Sequence, residues 1–296
     1  MPFRIGKIAS IAKLHAAMMH AGDRVPPDGL RGWCCNPISK FRRPRLRQRS
    51  DTAFQERTMV SKTLAIVGAG PGLGLSLARR FGRDGYRAAL IARNRQKLDG
   101  LVDQLGAEGI EAAAFVGDVT DSASVASALE QAQARFGAID VLEYSPIVIP
   151  TDMSGYAPLE VTALAPETAR RAFETMALGA VAAVHAVLPA MRERGSGAIV
   201  ITTGISAIGF IPMIGAWGMA GAAARNYARN LHVALSGSGV FAGSVSLGVQ
   251  IQKGDEHGDP DRLAERYFDF LAARDTPELV INHMPEGLIA LDNAAG

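Results

Sequence analysis

The residues with the clearest chemistry lie in Gly68-Ala-Gly70-Pro-Gly72-Leu73-Gly74, directly after the apolar run Thr63–Val67. Glycines at this spacing allow a positive φ, let the backbone approach a pyrophosphate, and open a helix whose unpaired N–H groups attract an anion. The second apolar run ends Leu90-Ile-Ala-Arg93-Asn94. A carboxylate at this point would bond the 2′-hydroxyl of NAD; a guanidinium suits a 2′-phosphate instead. NADP(H) is therefore expected over NAD(H). Asp118-Val119 ends the third run, where the carboxylate either accepts from an adenine amino group or caps a helix. Groups for proton chemistry are sparser. Tyr144 and Ser145 end a fourth run, and Thr202, Thr203 and Ser206 cluster at the end of a fifth. Tyr144 is read either as a proton donor or as a packed wall residue. His185, on an apolar helix, reads as a core or interface histidine. The spacing of a metal site is absent, as are Ser/His/Asp hydrolase patterns, so no metal is expected.

These residues need a scaffold that delivers strand ends to one edge. From Ser61 onward short β-branched runs alternate with longer helical segments, the pattern of a parallel sheet covered on both faces. Strands are predicted at Thr63–Val67, Arg87–Ile91, Ala112–Val116, Val141–Tyr144, Ala198–Thr203, Gly243–Leu247 and Leu279–Asn282. Helices are predicted at Gly72–Arg83, Arg95–Glu108, Ser122–Phe136, Pro166–Arg194, Gly218–Ser236 and Asp261–Ala273. Thr120 or Asp121 suits an N-cap, and Pro166 a first helical position. The expected fold class is α/β, a doubly wound seven-stranded parallel sheet of Rossmann type, in one domain over residues 59–296.

Together these features resemble the short-chain dehydrogenase/reductase family over residues 61–283. Gly68, Gly72 and Gly74 are spaced like that family's glycine motif, Arg93-Asn94 like its NADP-type second-strand ending, and Asp118-Val119 like its adenine contact. Gly248 fits its Pro-Gly turn, with Leu247 in place of the proline. The resemblance implies cofactor contacts at Gly68, Gly70, Gly72, Leu73, Gly74, Arg93, Asn94, Asp118, Val119 and Gly248. It also implies a catalytic Asn, a Ser, and a Tyr followed four residues later by a Lys. Those positions hold Met176, Gly204, Trp217 and Gly221. The Asn-Asn-Ala-Gly run after the fourth strand has become Tyr144-Ser145-Pro146-Ile147. Tyr227 lies ten residues beyond Trp217, about 15 Å along a helix, too far to substitute in place. Tyr144 and Thr203 remain as weak catalytic candidates.

Three functions stay open. A nonstandard reductase would pass hydride to an activated C=C, C=N or C=O acceptor, because loss of a proton donor costs roughly 10²–10⁴-fold without forbidding reaction. A catalytically silent NADP(H)-binding sensor or scaffold is the second, and non-redox catalysis in the vacated pocket the third. The expected partners are a small-molecule substrate and a second copy of the chain. A homodimer or homotetramer through helices 166–194 and 218–236 is implied by the family's habit.

Charge divides the chain. Residues 1–58 hold twelve Lys/Arg against four Asp/Glu, and the rest nets −6. This basic leader, with Arg42, Arg43, Arg45, Arg47 and Arg49 in one run, is read as disordered or outside the native fold rather than as a nucleic-acid site. The two cysteines, Cys34 and Cys35, are adjacent in the leader, so the body has no disulfide and fits a reducing, cytoplasmic setting. Gly195–Ala224 carries no charged residue. Its seven glycines and Pro212 fit a strand, a loop and a helix start better than a membrane span.

Overall fold

In the computed structural model residues 61–146 and 160–284 are described; the leader and most of the segment between the fourth strand and the fourth helix lie outside them. Seven parallel strands form one sheet in the order β3-β2-β1-β4-β5-β6-β7. They are β1 Thr63–Val67, β2 Arg87–Ala92, β3 Ala112–Val116, β4 Val141–Tyr144, β5 Gly197–Gly204, β6 Val240–Gly248 and β7 Glu278–Asn282. The chain winds outward through β1, β2 and β3, then returns to the other side of β1. That reversal between β1 and β4 is a topological switch point, where the strand ends part into a crevice.

The central strands are apolar on both faces because helices cover both. β1 is buried along its whole length, and so is β4. One face holds α1 (Leu73–Gly82), α2 (Arg95–Ala107) and α6 (Pro260–Ala273), packed on Leu64, Ile66, Leu90, Val200 and Val245. The other holds α3 (Ser122–Phe136), α4 (Pro166–Glu193) and α5 (Gly215–Ala234), packed on Val67, Ile91, Leu142, Ile199 and Ile201. Each fully buried Leu, Ile or Val contributes about 1.5–3 kcal/mol, so the sheet is fixed from both sides.

Three elements differ most from their sequence patterns, and the first is β6, which begins at Val240 rather than the expected Gly243. α5 begins at Gly215, three residues before the expected Gly218, because a 3₁₀ turn at Pro212–Ile214 leads straight into it. α4 is long and apolar enough to cross a membrane by composition. Here Ala180, Ala183, Val184, Val187 and Met191 of α4 are buried against the sheet. It is not a uniform α-helix: Glu174–Leu178 forms a π segment, a local irregularity that periodicity does not reveal. The charge-free stretch is resolved as expected, into β5, two 3₁₀ turns and the start of α5.

Candidate active site

The glycine turn sits at the switch point. Gly68 has φ +95°, and a Cβ there would stand 2.6 Å from the Pro146 backbone. The amides of Gly68 and Ala69 donate to the Ile91 carbonyl at 2.9 and 3.1 Å, tying the turn to the end of β2. Gly74 lets α1 settle on the turn, its absent Cβ only 3.1 Å from Ala69 Cα. Gly70 faces open space. α1 starts after Gly72 with no side chain capping it; the Leu75 amide already donates to the Gly70 carbonyl at 2.9 Å, which leaves the Leu73 and Gly74 amides for an anion. An uncapped helix start and an open cradle at Gly70 fit a dinucleotide pyrophosphate.

The residues that the resemblance assigns to the adenosine end lie just past β2 and β3. Arg93 is exposed, and Asn94 caps α2 by accepting from the Lys97 amide at 2.9 Å. Asp118 Oδ1 accepts from the Thr120 amide and hydroxyl at 2.9 and 2.8 Å. The backbone bond from Thr120 holds this carboxyl below its usual range, helped by the Thr120 hydroxyl and the nearby Arg93 charge. Capping of α3 falls to Asp121, so Asp118 is not the cap. Val119 and Gly248 take packing positions: the Val119 carbonyl lies against Gly179, and a Cβ on Gly248 would overlap the Asn282 carboxamide.

Of the four positions that the resemblance assigns to catalysis, Met176, Trp217 and Gly221 are brought together in apolar surroundings. Met176 is buried with Ala172, Ala216 and Ala220, and Trp217 packs on that cluster. A Cβ on Gly221 would meet the Ala207 Cβ at 3.2 Å and the Met176 Cε at 3.4 Å. The methionine methyl thus lies at contact distance from where a side chain at 221 would begin. Gly204 ends β5 with Ser206 Oγ 3.5 Å from where its Cβ would be.

The weak candidates are enclosed. Tyr144 is 1% exposed, and its hydroxyl donates to the Thr175 carbonyl at 2.5 Å, inside the π segment. Burial pushes its pKa far up, so the structure favours the wall reading over the donor reading. Thr203 is buried between β5 and β6 against Ser246 Oγ at 3.1 Å. His185 is exposed on α4, which fits an interface rather than a core histidine.

One group was missed. Glu143, on β4, is 1% exposed. The hydroxyls of Ser145 and Thr202 donate to its two oxygens, each at 2.9 Å. Thr202 Oγ1 also contacts the Tyr267 hydroxyl, from α6, at 2.9 Å. Burial pushes the Glu143 carboxyl up to about 7, against the lowering effect of those two hydroxyls. The signal was available: a lone acid within Val-Leu-Glu-Tyr, on a central strand covered on both faces, has no route to solvent.

At the start of α5 lies a cavity of about 300 Å³, walled by Val161, Phe210, Pro212 and Met219 with Ser206 as its polar side chain among the described residues.

The comparisons agree with this architecture. A short chain dehydrogenase of Pseudocercospora fijiensis is 28% identical over 190 residues, 63% of this chain and 59% of that protein's length. A metagenomic short-chain oxidoreductase solved with NADP superposes with a TM-score of 0.65 at 20% identity, covering 76% of this chain and 98% of its own. L-Sorbose reductase from Gluconobacter frateurii, solved with NADPH and L-sorbose, gives 0.65 at 20% identity, with 78% and 98% covered. The short chain dehydrogenase family model matches residues 62–251, and the chain belongs to that family.

Proposed function

We propose that this chain binds NADP(H) and reduces an apolar acceptor carrying an activated C=C, C=N or C=O group. The observation that carries the cofactor choice is the exposed Arg93 guanidinium at the end of β2, near enough to bias Asp118. When bound, the cofactor supplies the hydride. This chain's own residues cradle the pyrophosphate at Gly68–Gly74, hold the adenosine end between Arg93 and Asp118, and offer a cavity with almost wholly apolar walls. That lining suits an acceptor with little polar surface. Leu178 and Val181 on α4 and Met219 and Val233 on α5 are 41–74% exposed, an apolar face that supports pairing with a second copy.

Fluorescence titration of NADPH and NADH against the parent and Arg93→Ala tests the cofactor. A charge-assisted hydrogen bond is worth about 1.5–3 kcal/mol, so the variant is expected to lose tenfold to about 150-fold in NADPH affinity and little for NADH. Equal affinity of the parent for both cofactors overturns the preference. The silent-binder reading draws on the apolar filling at Met176, Trp217 and Gly221. Tight NADPH binding without turnover across an acceptor panel would favour it.

A further inference from the structure

The hydroxyls around Glu143 form an ordered chain whose hydrogens can be counted. Its links are Tyr267 to Thr202, Thr202 to Glu143, and Glu143 to Ser145. Three hydroxyls and an ionised carboxylate carry three hydrogens for these three links, and all point inward. A neutral carboxyl adds a fourth. Tyr267 is fully buried and Thr202 is 5% exposed, so the extra hydrogen has one way out. Tyr267 donates to Thr202, Thr202 donates to Glu143 Oε1, Glu143 Oε2 donates to Ser145 Oγ, and the Ser145 O–H is left to point outward. Ser145 is the half-buried end of the chain. Its amide donates to the Val67 carbonyl at 2.9 Å, and its carbonyl carbon stands 2.8 Å from where a Gly68 Cβ would be. It therefore occupies the first position past β4, at the switch-point crevice.

We propose that Ser145 is the proton donor of the reduction, with Glu143 behind it as the acid that supplies the proton. The inference rests on the reductase reading above. In the step the acceptor gains a hydride from the reduced nicotinamide and a proton from Ser145. As the Ser145 O–H bond breaks, the Glu143 O–H bond also breaks and its proton forms a new O–H on Ser145. The negative charge ends on the Glu143 carboxylate, where the Thr202 hydroxyl still donates; the nicotinamide leaves oxidised, and water reloads the acid. The surroundings suit a neutral carboxyl. From β1 the register partner is Ile66, from β5 Val200, from α6 Tyr267. Among the described residues no charged side chain enters its titration, and burial is the largest influence on it.

The test uses the full chain as parent, Glu143→Gln and Ser145→Ala. Glutamine keeps the geometry, since its amide can donate to Ser145 and its carbonyl can accept from Thr202, but it cannot pass a proton. Infrared difference spectra of parent minus Glu143→Gln should show a protonated carboxyl at about pH 6 that fades by about pH 8. NADPH oxidation is followed with an α,β-unsaturated ketone and a cyclic iminium salt. With the ketone the parent rate should fall as pH rises through about 7, and both variants should lose about 10²–10⁴-fold and the pH dependence. The iminium, which takes hydride without a proton, should be reduced by parent and variants alike, with NADPH affinity retained. A Gln variant that turns over the ketone like the parent overturns the proton route and leaves the reductase reading intact. Absence of the carboxyl band overturns the neutral acid. No turnover by the parent, with the band present, overturns the reductase reading and the role of Ser145 with it, and leaves the neutral carboxyl standing.

Discussion

Replacing Glu143 by glutamine should change how stability depends on pH, whether or not the protein catalyses anything. The carboxyl titrates near 4.5 when unfolded and at about 7 when folded. Between these values the folded state holds a proton that the unfolded state has released. Stability therefore falls as pH rises across that window, and the loss is complete above about 7. At about 1.4 kcal/mol per tenfold change in proton affinity, the parent loses about 3 kcal/mol of stability between the two limits. Glutamine has no such slope. Relative to the parent, the variant should gain about 3 kcal/mol on going from about pH 4.5 to about pH 8, or about 6–12 °C in melting temperature for a domain of this size. The carboxyls of Asp118, Asp261 and Glu108 are held below their ordinary values by hydrogen bonds. Their contributions are lost as pH falls below that window, so they tilt both proteins alike and at a different pH. Thermal and urea melts of parent and variant at matched pH values give the difference directly. Parallel curves from acid to alkaline pH would refute the buried neutral acid.

Tyr144→Phe should strand the Thr175 carbonyl and cost about 1–3 kcal/mol, with NADPH affinity unchanged by titration; a loss of turnover greater than tenfold would instead give the tyrosine a chemical role. Gly179→Ala would push a methyl into the Tyr144 hydroxyl and to 2.6 Å from the Val119 carbonyl. Overpacking of that kind costs typically about 1–3 kcal/mol, which a melt would show, and a variant as stable as the parent would mean that α4 slides freely on β4.

Most of the fold was legible because a doubly wound sheet writes itself as alternating runs, and the expected strands at Thr63–Val67, Ala112–Val116 and Val141–Tyr144 match residue for residue. The glycine turn was legible too, since Gly68 to Gly74 is one continuous segment whose geometry follows from local backbone rules. The buried Glu143 cluster was not. Glu143 meets Thr202 across 59 residues, and Thr202 meets Tyr267 across 65, so no local pattern joins them. The π segment was hidden for another reason: Glu174–Leu178 reads as ordinary helix, and the extra residue shows only in the hydrogen-bond pattern. Met176, Trp217 and Gly221 could be named from spacing, but that they pack into one apolar plug depends on α4 meeting α5.

The π segment also makes α4 a helix of adjustable length. Such a segment is a helix carrying one residue more than its turn requires, and the surplus lies between Glu174 and Leu178. Losing one residue there would close the turn into regular α-helix while Ala180, Val184 and Val187 kept their seats on the sheet. The change would be felt at Thr175, whose carbonyl would return to the helix and leave the Tyr144 hydroxyl without its acceptor. The tyrosine and the surplus residue are thus expected to be gained or lost together, so descent in this part of the chain would be written in paired insertions and replacements.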